Sequence, residues 1–378
     1  MNWTRRQALV SLTLPGLLLM THAYAASGVD ISNTKRLLFI ADRIENYITV
    51  VDPAQARVIF RIETEFPVHD LIITPYAPLL IYANRDQKKL FTYNLANKTW
   101  LKPTSLPLTP RHLVLGTAGI KIGITDGLGG GFALVSAYSQ KVEFHLPEVP
   151  ATADVLFDPN EIDIYYTAND SGALGLIDIN LERSSEIPLT DGSAAHLSSP
   201  SRSLDGRYIY VSNLTTGEVY NMNAYSRVIY KTFTTGETPA RPYTTPEGLF
   251  LYVMDQHSGR VVAYDQNRFA PYTDETFSAG IDLVTVGRQD RMNLFMSTST
   301  RNFHLYDNAR KQLRQEGQFR GTPLDAKGSV DGKMAYVTFV DAPDLALVNL
   351  ESGDIRYLPV TGNGAGAFGL GLSNNVCH

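Results

Sequence analysis

The chain has 378 residues, a formal charge of −5, 44% apolar residues and one cysteine, Cys377. A nucleic-acid-binding protein would normally carry a basic excess, so the charge gives no footprint for such a partner. One cysteine rules out an internal disulfide framework and any cysteine-rich zinc or iron–sulfur site, which leaves apolar burial to hold the fold together.

In chain order, residues 1–25 read as an export signal. Arg5 and Arg6 precede an apolar run from Ala8 to Met20, and Ala23-Tyr24-Ala25 has the small-x-small form of a cleavage site. The order Thr4-Arg5-Arg6-Gln7-Ala8-Leu9 resembles a twin-arginine signal. An ordinary secretory signal with two chance arginines is the simpler alternative. Either one predicts a chain that works in the periplasm. No later segment reaches the roughly 18 apolar residues of a spanning helix, so no membrane span is expected in the mature chain.

From Leu37 onward one pattern repeats. Apolar runs such as LLFIAD (37–42) and LLIYAN (79–84) are each followed by a polar turn and a second run. The second runs end at Asp52, Asn94, Ser136, Asp178, Asn223, Asp265, Asp307 and Asn349, spaced by 42 residues except for one step of 45. Aromatic and β-branched residues at period two, bounded by Gly, Asn, Asp and Pro, predict hairpins. About 42 residues with four strands per copy predicts a β-propeller blade. The expected fold is therefore all-β, a single eight-bladed propeller over residues 26–378; seven blades would require one irregular module. The first module lacks an inner-strand segment, and GAFGLGLSNN (366–375) has that character with no module after it. The C-terminal strand is thus predicted to close the first blade and remove the free sheet edges.

In a four-stranded blade, the start of the inner strand and the turn after the second strand lie on one face. In register, inner strands start at His69-Asp70, Arg111-His112, Asp154, Ser198-Ser199, Arg241, Asp282 and Asp325, and the turns begin with Arg43, Arg85, Gly127 and Asp170 in the first four modules. Arg43 and Arg85 are 42 apart, hence equivalent on neighbouring blades. With His69, Arg111 and His112 they put guanidinium and imidazole groups at one channel mouth. A solvated polar rim is the bland reading of any one of them. Together they suit an anionic cofactor or small molecule with a metal centre, because guanidinium forks bind carboxylates and phosphates and imidazole ligates metal. Adjacency on a strand turns Asp70 away from His69, so the partners of Asp70 are expected on another blade.

The order FIADRIENYITVVD, PVHDLIITP, YANRDQKKLFTYNL resembles the opening of the haem d1 domain of cytochrome cd1 nitrite reductase, and equally the NirF-like proteins of haem d1 biosynthesis. The resemblance implies haem d1 or a precursor as ligand. It further implies His69 as iron ligand or catalytic residue, and Arg43 and Arg85 as holders of the carboxylate side chains. It is specific over residues 37–94 and elsewhere rests on repeat count and length. No Cys-x-x-Cys-His for a covalent c-type haem is present, and Arg241 and Asp282 stand where that reductase places distal histidines. Nitrite reduction is therefore not expected, and the biosynthetic or binding relatives are the better comparison.

Other patterns carry less. The TDGLGGG turn lacks the helix and Gly-Lys-Ser/Thr ending of a phosphate loop, and Ser201 and Ser203 near His196 lack a nucleophile elbow. Cys377 and His378 with the terminal carboxylate could form a metal trio, with a frayed tail as the plainer reading. Two further functions stay open: a scaffold for a periplasmic partner protein, and a metal-dependent lactonase-type hydrolase using Asp170, Asp282 and Asp325.

Overall fold

A computed structural model of the protein describes residues 29–126, 129–168, 171–190 and 195–371. The segment read as an export signal, the Gly127 and Asp170 turn positions, and the Cys377-His378 tail lie outside them. Eight antiparallel sheets of four strands follow one another around a ring, as the repeat predicts; in the second the outer strand is split into Thr99–Trp100 and Thr104–Ser105. Pro103, which cannot donate to a ladder, lies in the break. The only helical elements among the described residues are two short 3-10 turns, Thr34–Arg36 and Arg288–Asp290. None of the described helices is long and apolar enough to cross a membrane.

The closing strand is where the sequence places it. Ala365–Leu370 pairs antiparallel with Leu38–Asp42, with Phe368 opposite Ile40 and Gly369 opposite Phe39. The first and last segments of the ring thus share one blade.

Both faces of every blade are buried, which explains why the runs are apolar on both strand phases. In the first blade, Leu38 and Ile40 pack toward the eighth blade with Tyr336 and Leu345, whereas Phe39 and Ala41 pack toward the second with Leu71 and Tyr82. Each of the other interfaces carries a similar cluster. The core is therefore a ring of sandwich fillings around a channel.

The repeated polar residues at strand ends have structural work. Asn94, Asp178, Asn223, Asp265 and Asn349 each accept two backbone N–H bonds from the turn that follows. These Asx turns lead each third strand into the fourth.

Candidate functional site

The arginines of the mouth are displayed by a buried anchor just before them. Asp42 is fully buried, and its carboxylate accepts from the backbone N–H of Ile44 (2.8 Å), Glu45 (2.9 Å) and Gly362 (2.6 Å) and from the Tyr47 hydroxyl (3.0 Å). Asn84 does the same one blade on: its side-chain oxygen accepts from Asp86 N–H at 2.8 Å and its amide donates to the Pro67 carbonyl at 2.8 Å. The chain leaves each anchor outward, so Arg43 and Arg85 are exposed. Arg111, half-buried, stands at an irregularity in the pairing of Pro110–Leu115 with the next strand, which lifts it off the ladder. Among the described residues none of these three guanidiniums has a hydrogen-bond or ion-pair partner.

His69 is half-buried beside Arg85. Its Nδ1 accepts from the Arg85 backbone N–H at 3.3 Å, while the His69 backbone N–H donates to the Ala83 carbonyl at 3.1 Å. Burial first, and the Arg85 guanidinium second, hold the imidazole below its ordinary pKa, with Asp86 opposing. The ring is therefore neutral near pH 7. With Nδ1 accepting, the proton of the neutral ring sits on Nε2.

Asp70 turns away, as strand geometry requires, and finds its partners on the next blade. Its Oδ2 accepts from Leu113 N–H at 2.8 Å and lies 3.7 Å from Nδ1 of His112. The carboxylate lies beside His112 and, through the Leu113 N–H, stitches two inner strands together.

Arg241 does not join this group. It spans three blades on the other side of the mouth, with Nη1 3.0 Å from Asp154 Oδ2 and Nη2 donating to the Pro200 carbonyl at 2.8 Å. The inner strands of blades five and six shrink to Ser201–Arg202 and Tyr243–Thr244, beside Pro200 and Pro242, and the guanidinium reaches across the shortened strand. The sequence placed Asp154 and Arg241 at equivalent starts but did not pair them. Their opposite charge in one register was the available signal.

The scattered carboxylates are separately engaged. Asp282 accepts from the Thr298 N–H and hydroxyl, and Asp325 lies 3.0 Å from Lys327 Nζ. No group of three or more His, Cys, Asp or Glu side chains able to hold a metal occurs among the described residues. Ser203 donates to Asp205 at 2.6 Å, so it does not form a nucleophile pair with His196. The mouth is thus asymmetric among the described residues: three cations without a side-chain partner and a neutral imidazole on blades one to three, a closed ion pair on blades four to six.

No known family profile matches the chain, and no curated relative does. Solved structures do resemble it. The dihydro-haem d1 dehydrogenase NirN in complex with DHE superposes with a TM-score of 0.73 at 15% identity, over 90% of this chain and 76% of that one. What they share is the fold. Sqt1 of Saccharomyces cerevisiae gives 0.66 at 12% identity over 79% and 86% of the two chains, and hydrazine synthase of Kuenenia stuttgartiensis gives 0.53 at 11% over 77% and 95%.

Proposed function

We propose that the protein is an exported, periplasmic propeller that binds a carboxylate-bearing tetrapyrrole of the haem d1 class at the His69 mouth, in maturation or oxidoreduction of that cofactor. The observation that supports the reading is a half-buried neutral imidazole beside Arg85, with Arg43 and Arg111 on the two adjoining blades, none of the three guanidiniums having a hydrogen-bond or ion-pair partner among the described residues. Guanidinium forks left open are suited to ligand carboxylates, each such pair being a strong, charge-assisted hydrogen bond. The likeness to NirN, a dihydro-haem d1 dehydrogenase, supports the same class.

In this reading Arg43, Arg85 and Arg111 hold the acidic side chains of the ligand, and His112, beside Asp70, borders them. The bound tetrapyrrole would supply the redox chemistry. With its proton on Nε2, His69 is set up to donate a hydrogen bond to the ligand. To ligate a metal through Nε2 it would have to move its proton to Nδ1, where the Arg85 N–H now points.

The test is absorbance titration of the purified protein with haem d1 and with its dihydro precursor. A saturable spectral change is expected. Arg43→Gln with Arg85→Gln should weaken it about tenfold, as expected when charge-assisted bonds are lost. His69→Ala should alter the spectrum of the bound species. No change with either ligand would overturn the proposal and leave the scaffold reading.

A further inference from the structure

On the face opposite His69, a cleft of about 300 Å³ lies between blades seven and eight. Arg288, Arg291, Arg310 and Arg314 line it, against the carboxylates Asp307 and Glu351. Four guanidiniums facing two carboxylates in a chain of net charge −5 is a local surplus that overall composition does not explain.

The two halves of the cleft differ. Arg310 and Arg314 share one carboxylate: Asp307, whose side chain is 1% exposed, lies 3.5 and 4.0 Å from them and also accepts the Arg310 backbone N–H at 3.0 Å. Arg288 and Arg291 have no side-chain partner among the described residues. Their backbone, however, is pinned from three directions. Arg288 N–H donates to the Gly332 carbonyl of blade eight (3.1 Å), Gln289 N–H to Glu247 Oε1 of blade six (2.8 Å), and the Arg291 carbonyl accepts from Asn308 N–H (2.7 Å).

The corresponding turns elsewhere hold at most one cation each, beside an acidic residue. They carry Asp205 with Arg207 in blade five, Glu247 in blade six and Asp331 with Lys333 in blade eight. Only blade seven, among these four, presents two cations there, Arg288 and Arg291. Fixed backbone and unpaired guanidiniums make a prearranged anion receptor, and the volume is at the lower end for small-molecule sites.

We propose that this cleft binds a small organic polyanion, a molecule with at least two phosphate or carboxylate groups, bridged by Arg288 and Arg291 on one side and Arg310 and Arg314 on the other. The site is distinct from the mouth and does not depend on the ligand assigned there.

The test is calorimetric titration of the full protein with pyrophosphate and with citrate at low salt; the probe that binds tells phosphate from carboxylate chemistry. Saturable binding is expected, weakened about tenfold or more by Arg288→Gln with Arg291→Gln and weakened further by salt. Arg43→Gln with Arg85→Gln should leave it unchanged. If the first double variant fails to fold, Arg314→Gln, which is exposed, takes its place with the same expectation. No saturable binding of either probe, binding unaffected by the cleft variants, or binding lost in the mouth variants would each overturn the proposal.

Discussion

Asp290 occupies a position that four other blades give to glycine. Gly119, Gly206, Gly248 and Gly332 each end a four-residue turn with φ between 64° and 71°, and Asp290 ends its turn with φ 52°. It is 1% exposed, and neither carboxylate oxygen has a hydrogen-bond partner of ordinary geometry. Burial pushes its pKa up to about 6, with the Thr245 hydroxyl pulling down and Glu247 pushing up. Because the folded value exceeds the ordinary 3.8, the neutral form is the one the fold favours. Its contribution is intact below about pH 4 and is lost as pH rises through about 6. Asp290→Asn keeps the turn, since Asn tolerates a left-handed backbone, and removes the ionisation. It should therefore stabilise the protein by about 2–3 kcal/mol at pH 8 and by little at pH 4. Thermal unfolding at the two pH values checks this, and a gap that does not change with pH would sink it. Nothing in the sequence marks this residue, because its burial depends on blades six and seven closing over it.

At the scale of the element, the repeat was legible because each periodic position has a geometric task. Four residues after each third-strand end stands a left-handed residue: Ala56, Lys98, Gln140, Glu182, Arg227, Phe269, Lys311 and Gly353, with φ between 46° and 80°. Only the last is glycine. The period of 42 is thus the period of a turn as much as of a hydrophobic pattern. The outer strand of the second blade was harder to foresee, because a single proline splits it while apolar residues continue on both sides. A non-glycine residue pays about 1–2 kcal/mol for a left-handed backbone, partly offset by the greater unfolded-state entropy of glycine. Glu182 is exposed and has no side-chain partner among the described residues. Glu182→Gly should therefore raise stability by about 0.5–1 kcal/mol, seen as a higher midpoint in urea; a lower midpoint would refute it.

For the whole molecule, the sequence located the ring and the equivalence of Arg43 and Arg85, since both follow from period alone. It did not show Arg241 crossing blade five to Asp154, which depends on a side chain reaching over a strand shortened beside Pro200. Nor did it show what locks the ring. Thr49 donates to the Val360 carbonyl at 2.6 Å, and Asp42 accepts from Gly362 and Asn363, so two residues of the first blade bind the segment that leads into the closing strand. Burial by itself would raise the Asp42 pKa, but the N–H bonds from Glu45, Ile44 and Gly362 and the Tyr47 hydroxyl outweigh it and hold the carboxyl below its ordinary value. The charged form is the favoured one here, so its contribution is present above about pH 4 and is lost as pH falls through the lowered folded value. Asp42→Asn replaces an acceptor oxygen with an N–H₂ facing N–H donors. The variant should lose about 2–4 kcal/mol at pH 7, with the loss shrinking in acid. Because the bond joins the two ends of one blade, hydrogen exchange should rise first in Leu38–Asp42 and Ala365–Leu370. Exchange that rises evenly around all eight blades would mean that Asp42 acts only as a local turn anchor and that the ring is held shut by its apolar interfaces alone.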